Sequence, residues 1–193
     1  MAKNPADSLK SIPNLLSLSR IPLAIGLFAC IAYQLWSFGL VVFCVAAITD
    51  WLDGWLARKL KLVSFVGRNL DPLTDKVLIG GTFIYLLPVK EAGLQPWMVT
   101  VVICRELFIT GLRGIVESTG KTFGADWFGK LKTILQCATI LWILVVQTLR
   151  AFEDVAELLT IFEWVQLGLL YAMLAATVGS GLQYLVKAAK LLK

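Results

Sequence analysis

The sequence predicts an all-α polytopic membrane protein with six transmembrane helices and a short amphipathic segment at its N-terminus. Of its 193 residues, 58% are hydrophobic and 16% are charged, whereas soluble domains average about 45–50% apolar and about 25% charged residues. Six spans of roughly 20 residues would each cross about 30 Å of hydrocarbon and together use about two thirds of the chain. These proportions exclude a soluble globular domain and a disordered chain, so residues 1–193 are predicted to form a single membrane domain.

Apolar runs, together with prolines near helix starts and glycines or prolines near helix ends, place the six helices. The predicted helices are, in chain order, 13–33, 37–61, 68–88, 95–117, 127–149 and 157–190. Pro22 is predicted to kink or loosen the first helix because it removes a backbone donor. The connection 114–128 is rich in Gly, Thr and Asp and is predicted to be a loop.

The distribution of the cations predicts how the chain is oriented in the membrane. The sequence has 18 Lys and Arg against 13 Asp and Glu, a formal net charge of +5. Only Lys90 and Arg150 fall in the connections after the odd-numbered helices, and the other 16 cations lie elsewhere. The positive-inside rule therefore places both termini on the cytoplasmic side of the cytoplasmic (inner) membrane. Topology and an anionic membrane surface explain the excess charge, so no nucleic-acid partner is expected.

Four aspartates interrupt the apolar pattern within residues 49–76. Asp50 and Asp53 are three residues apart, and Asp71 and Asp75 are four residues apart. Each pair therefore shares one face of its helix. The short connection between the second and third helices implies an antiparallel pair. We therefore expect the four carboxylates to converge near the cytoplasmic boundary of the membrane.

Such a group of like charges needs a counter-charge if it is removed from water. One source is basic residues near the aspartates, namely Arg58, Lys59, Lys61, Arg68 and Lys76. The other source is metal ions, and ligands that are all oxygen suit hard cations such as Mg²⁺, Mn²⁺ or Ca²⁺. Because the chain has no histidine and its four cysteines lie far apart, zinc and copper are poor candidates. Four carboxylates are enough for two ions about 3.5–4 Å apart.

The spacing of the aspartates resembles the signature of the CDP-alcohol phosphatidyltransferase family. Every fixed position of that signature is present, in the pattern Asp50-x2-Asp53-Gly54-x2-Ala57-Arg58-x8-Gly67-x3-Asp71-x3-Asp75. The resemblance implies a transfer from a CDP-linked donor to an acceptor hydroxyl, with release of CMP. It implies a site for Mg²⁺ or Mn²⁺, with two ions, on Asp50, Asp53, Asp71 and Asp75, and it implies that Asp75 is the general base. It further implies that the CDP moiety is bordered by Asp53, Gly54, Ala57, Arg58 and Gly67.

A second group of cations is predicted to bind a phosphate on the acceptor. Arg105 and Arg113 are eight residues apart, so both can face one side of the fourth helix. Lys130 and Lys132 open the fifth helix, where the helix dipole favours an anion. Snorkelling to lipid headgroups is the alternative explanation. The predicted acceptor-phosphate residues are Arg105, Arg113, Lys130, Lys132, Asn14 and Arg20.

A phosphorylated acceptor favours glycerol 3-phosphate, so the expected reaction transfers the phosphatidyl group from CDP-diacylglycerol to glycerol 3-phosphate. Ile12-Pro13-Asn14 resembles the family members that use this acceptor, although Ser17 stands where threonine is expected. A phosphatidylinositol-phosphate synthase or another CDP-alcohol phosphotransferase is the alternative within the family. A small divalent-cation transporter is the alternative from another class, and a non-catalytic scaffold would leave the aspartates unexplained.

The resemblance also implies a homodimer in the lipid bilayer. Small residues allow helices to approach closely, and we expect such contacts at Gly80, Gly81 or Gly179–Gly181.

Overall fold

The structure, a computed structural model, describes residues 12–60, 65–121, 127–152 and 156–192. Within these ranges, the side chains at 12–18, 51, 53–60, 65–73, 156–158 and 192 lie outside the described set. The amphipathic segment predicted for the N-terminus falls on residues 1–11, which are also outside it.

The described residues form six long helices and a short 3-10 turn, and they contain no strand. The helices are α1 (Ile12–Ala32), α2 (Trp36–Leu60), α3 (Phe65–Leu86), α4 (Pro96–Ser118), α5 (Trp127–Leu149) and α6 (Ala156–Leu192). The all-helical prediction is therefore confirmed, and no predicted helix end is more than three residues from the observed one. Helix α1 continues through Pro22.

The C-terminal end of α4 lies further along the chain than the predicted loop allowed. The Ser118 Oγ donates a hydrogen bond to the Ile115 carbonyl at 2.7 Å, and the Thr119 Oγ1 donates to the Val116 carbonyl at 2.7 Å. Gly120 then adopts a left-handed φ of 77°, the conformation in which glycine commonly ends a helix. The loop prediction was therefore wrong for 114–118, and 122–126 lies outside the described residues.

Two helical segments among the described residues are long and apolar enough to cross a membrane, namely Trp127–Leu149 and Leu159–Leu191. Shorter apolar segments occupy Ser19–Ala32 and Trp36–Asp50. Charged residues interrupt the apolar character of the remaining helices, for example Arg105 and Glu106 in α4. The prediction of six spans therefore stays a prediction.

The chain divides into two compact units, the first ending at Leu86 and the second beginning at Leu87. In unit 1, α1 packs against both α2 and α3. The ring of Phe28 in α1 stacks on that of Tyr85 in α3, with the centroids 4.8 Å apart. The single-domain prediction stays a prediction.

In unit 2, α6 packs against both α4 and α5. Trp142 of α5 stacks on Phe162 of α6, and its Nε1 donates to the Phe162 carbonyl at 2.9 Å. Helix α5 buries Gln136 and Gln147, whereas Ile134 is 64% exposed. Polar groups inside and large apolar groups outside are typical of a helix whose outer face meets lipid.

Two of the glycines predicted to serve a homodimer make close contacts within the chain. A Cβ atom at Gly81 would clash with the ring of Phe28, and one at Gly181 would lie 3.3 Å from the Arg105 Cγ. Both glycines therefore allow close packing inside their own units. The homodimer stays a prediction.

Candidate active site

The buried side chain of Arg20 is the centre of the site in unit 1. Arg20 lies on α1, which packs against α2 and α3, and it is 2% exposed. One terminal nitrogen lies 2.6 Å from the Asp50 Oδ1, and the other lies 2.5 Å from the Asp75 Oδ1. A guanidinium can bind two acceptors in this way because its donors form a rigid fork. Arg20 thus joins two predicted site residues that belong to different helices.

The two carboxylates remain partly accessible although each is paired with Arg20. The side chain of Asp50 is 50% exposed and that of Asp75 is 43% exposed. Asp50 lies ten residues before the end of α2, and Asp75 lies ten residues after the start of α3. At a rise of about 1.5 Å per residue, each is about 15 Å along its helix from that end. Both carboxylates are therefore accessible to a ligand while their contacts with Arg20 hold them in position.

The donor chemistry of this site fits a divalent cation. Two carboxylates and one guanidinium leave a formal charge of −1, and carboxylate oxygens are the ligands preferred by hard cations. Asp53 lies in α2 and Asp71 lies in α3, but their side chains lie outside the described set. Within that set, no group of three or more acidic or cysteine side chains gathers at one place.

The structure places Arg20 beside the aspartates, although the sequence led us to expect it at the acceptor phosphate. The remaining predicted residues of this region lie in α1, α2 and α3, but their side chains are outside the described set. Asn14 lies in α1, and the residues predicted to border CDP lie in α2 and α3, namely Gly54, Ala57, Arg58 and Gly67. Their predicted roles stay predictions.

Unit 2 gathers three of the predicted acceptor-phosphate residues. Arg105 of α4 donates to the Ser180 Oγ at 3.0 Å and to the Glu106 Oε1 at 3.1 Å. Lys132 of α5 donates to the same oxygen of Glu106. The side chains of Arg105, Lys132 and Glu106 are 11%, 10% and 15% exposed. One carboxylate therefore links α4 to α5, and one serine links α4 to α6.

Tyr184 of α6 contacts both arginines of this group. The Arg113 Nη2 donates to the Tyr184 Oη at 3.1 Å. The centroid of the tyrosine ring lies 5.7 Å from the Arg105 Cζ and 5.8 Å from the Arg113 Cζ, within the range of a cation–π interaction. Lys130, the fourth predicted cation of unit 2, is exposed on α5. We call the contacting residues the cationic cluster: Arg105, Arg113, Lys132, Glu106, Ser180 and Tyr184.

Sequence reasoning did not select Ser180 or Tyr184. They are polar residues one turn apart on α6, a helix that is largely apolar over its whole length. Their spacing places both on one face, and that was the available signal. Their partners on α4 are 71 and 75 residues away in the sequence, so the pattern of α6 alone does not identify them.

A cavity of about 380 Å³ lies elsewhere in unit 2, and its lining includes Arg150, Glu163 and Gln166. Arg150 pairs with Glu163, and the Gln166 Nε2 donates to the Glu91 carbonyl at 2.9 Å. Along α6, Glu163 is 21 residues before Tyr184, which is about 30 Å. None of the predicted site residues lines this cavity.

The sequence from residue 10 to residue 178 matches the model of the CDP-alcohol phosphatidyltransferase family. Because this match covers most of the chain, the protein belongs to that family. Enzymes of the family generally depend on a divalent metal, in agreement with the oxygen donors of Asp50 and Asp75.

Curated relatives with one enzyme name align with parts of the chain. The CDP-diacylglycerol--glycerol-3-phosphate 3-phosphatidyltransferase of Escherichia coli (strain K12) is 38% identical over 144 residues, which are 69% of this chain and 76% of that enzyme. The enzyme of the same name from Bacillus subtilis (strain 168) is 44% identical over 103 residues. That alignment covers 53% of this chain and 52% of the relative, so the chain aligns with about half the length of the Bacillus enzyme.

Proposed function

We propose that this protein transfers the phosphatidyl group of CDP-diacylglycerol to glycerol 3-phosphate, producing phosphatidylglycerophosphate and CMP. The names of the relatives specify this donor and this acceptor. The observation that carries the proposal is the cationic cluster, in which Arg105, Arg113 and Lys132 meet around Tyr184 and Glu106. Two guanidinium forks and an ammonium suit the phosphate of the acceptor.

The proposed reaction is a displacement at phosphorus. A hydroxyl oxygen of glycerol 3-phosphate attacks the phosphorus that carries diacylglycerol, and the bond from that phosphorus to the CMP oxygen breaks. The carboxylate of Asp75 takes the proton of the attacking hydroxyl. Arg20 fixes this carboxylate through the 2.5 Å contact, so the base is held in place before the acceptor binds.

The proposed metal ligands are Asp50, Asp53, Asp71 and Asp75, and two ions of Mg²⁺ or Mn²⁺ are the proposed complement. A bound divalent ion supplies positive charge against the pyrophosphate and the leaving CMP. The carboxylate oxygens of Asp50 and Asp75, which lie on either side of one guanidinium and are about half exposed, support this role. Gly54, Ala57, Arg58 and Gly67 are proposed to border the CDP moiety.

In the proposed acceptor site, the Glu106 carboxylate forms ion pairs with both Arg105 and Lys132. We propose that the phosphate of glycerol 3-phosphate shares these cations with Glu106 when it binds. Arg113, which donates a hydrogen bond to the Tyr184 Oη, offers its own fork. Lys130 and Asn14 are proposed to complete the phosphate site.

We propose that the protein spans the cytoplasmic membrane six times, with the active site and both termini on the cytoplasmic side, and that it forms a homodimer. The exposed apolar side chains of α1, α2, α5 and α6 support a lipid environment, among them Ile25, Phe38, Ile134 and Leu182. Such a surface would be costly in water. Because the donor is itself a lipid, its binding site must also be open to the bilayer.

An acceptor panel tests the proposed function. The purified protein is given CDP-diacylglycerol with glycerol 3-phosphate, inositol 1-phosphate, inositol or serine, in the presence of Mg²⁺ or Mn²⁺, and CMP is measured. We expect CMP release with glycerol 3-phosphate and none after chelation of the metal. Release that depends on inositol 1-phosphate instead would identify the phosphatidylinositol-phosphate alternative. Uptake of divalent ions into liposomes with no CMP from any acceptor would identify a transporter.

The substitution Arg20→Met tests whether a bound metal shares the counter-charge role of this arginine. Removing the guanidinium leaves Asp50 and Asp75 without that cation, although their half-exposure to solvent limits the loss. We expect the thermal midpoint in detergent with EDTA to fall by roughly 5 °C. Added Mn²⁺ should recover most of that loss.

The matched control for Arg20→Met is Arg150→Met, which removes an arginine from a partly exposed ion pair in unit 2. We expect its midpoint to change little and to respond to Mn²⁺ like that of the wild type. A midpoint for Arg20→Met that Mn²⁺ leaves unchanged, while it raises that of the wild type, would contradict the prediction.

A further inference from the structure

Tyr184 holds a place in unit 2 that neither the sequence pattern nor the family signature assigns. Arg105 and Arg113 are eight residues apart, which is about 12 Å along the axis of α4. Long arginine side chains at that separation have many rotamers, and ordering them is costly. In the structure, however, both Cζ atoms lie within 5.8 Å of the centroid of one ring. A single side chain on α6 therefore contacts both guanidinium groups.

The position of Tyr184 is itself fixed by the helices around it. Its side chain is buried, with 5% of the residue exposed. A Cβ atom at Gly129 of α5 would lie 3.3 Å from the Tyr184 Oη and 3.6 Å from the Cε2. A Cβ atom at Gly181 would lie 3.3 Å from the Arg105 Cγ. Gly129 leaves room for the Tyr184 ring, and Gly181 leaves room for the Arg105 side chain. Both glycines thus allow α4, α5 and α6 to pack closely at this contact.

Tyrosine has the chemistry that this position needs. The negative face of its ring attracts the guanidinium groups, and its hydroxyl oxygen accepts the hydrogen bond from Arg113. Two cations held near each other repel, and the ring offers both of them a favourable partner without adding a charge. The side chain has only two rotatable bonds, so its ordering costs little entropy.

We infer that Tyr184 is the positioning residue of the acceptor site, because it sets the orientation of Arg105 and Arg113 toward the phosphate of the acceptor. This inference rests on the proposed function. It predicts that changes at Tyr184 act on the KM for glycerol 3-phosphate and leave the KM for CDP-diacylglycerol nearly unchanged, since the ring contacts the two arginines that are assigned to the acceptor phosphate.

The test compares Tyr184→Phe and Tyr184→Leu in steady-state assays of CMP release, with each substrate varied in turn. Tyr184→Phe removes the hydrogen bond to Arg113 and keeps the ring, so we expect the KM for glycerol 3-phosphate to rise about 3-fold. Tyr184→Leu removes both interactions, and we expect a rise of about 15-fold. In both variants, kcat and the KM for CDP-diacylglycerol should stay within about a factor of two.

Tyr171→Leu is the matched control, because Tyr171 lies on the same helix and is 54% exposed. We expect its kinetic constants to equal those of the wild type. A Tyr184→Leu protein that folds and keeps the wild-type KM for glycerol 3-phosphate would overturn the inference. If Tyr184→Leu fails to fold, Tyr184→Phe decides: an unchanged KM overturns the inference, and a selective rise supports it. A wild-type protein that releases no CMP with glycerol 3-phosphate would instead overturn the proposed function.

Discussion

Replacing Asp75 with asparagine is expected to lower the rate of CMP release by about 1,000-fold. Asparagine has nearly the same shape and keeps a side-chain oxygen that can accept the hydrogen bond from Arg20. It cannot take a proton from the attacking hydroxyl, and it is a much weaker ligand for a divalent ion. The loss should therefore fall on kcat, because the substitution removes chemistry and leaves the carboxylate of Asp50 paired with Arg20.

The measurement is CMP release at saturating CDP-diacylglycerol and glycerol 3-phosphate, together with size-exclusion chromatography of the variant in detergent. Glu91→Gln makes the same carboxylate-to-amide change at an exposed position of unit 2. Only the backbone carbonyl of Glu91 makes the described hydrogen bond, so that variant should keep full activity. An Asp75→Asn protein with a rate near that of the wild type would refute the assignment of Asp75 as the base.

The substitution Arg113→Ala is expected to raise the KM for glycerol 3-phosphate by about 30-fold, as a charge-assisted hydrogen bond of roughly 2 kcal/mol is lost. Arg113 is exposed, and its described partner is the hydroxyl of Tyr184, so its removal should leave the fold intact. Arg113→Lys keeps the charge but loses the fork, so its KM should lie between those of the wild type and the alanine variant.

Initial rates across a range of glycerol 3-phosphate concentrations, with the KM for CDP-diacylglycerol measured in parallel, check this expectation. Arg150→Ala serves as the control because Arg150 lies beside Glu163, far along α6 from Tyr184. Equal rises of KM for both substrates would show that Arg113 acts on the fold as a whole. No rise for the acceptor would remove Arg113 from the phosphate site.

The helices of this protein could be predicted well because their signals are local. Apolar runs and the residues that end them set the bounds of α5 to the residue. The predicted loop 114–128 began too early, within the last turns of α4, because Gly and Thr were interpreted as loop residues. In the structure, the hydroxyls of Ser118 and Thr119 donate to the carbonyls of Ile115 and Val116, and the helix ends at Ser118, just before the left-handed Gly120.

The candidate site was only partly predictable because its contacts join distant parts of the chain. Helical spacing indicated that the carboxylates of Asp50 and Asp75 belong to one site, but no local pattern indicates that Arg20 contacts both of them from α1. The same limit applies to Tyr184, whose arginine partners lie on α4. A sequence shows which residues share a face of one helix, whereas the choice of neighbouring helix depends on tertiary packing.

The pairing of Arg20 with two acids bears on how the protein enters its membrane. The ribosome makes α1 first, so the guanidinium is present before the helices that bring Asp50 and Asp75 emerge. Moving an unpaired carboxylate toward hydrocarbon costs free energy. An arginine that is already present on α1 lowers this cost for both Asp50 and Asp75. The six-span arrangement that we propose would therefore let α1, α2 and α3 assemble in the bilayer before any ion is bound.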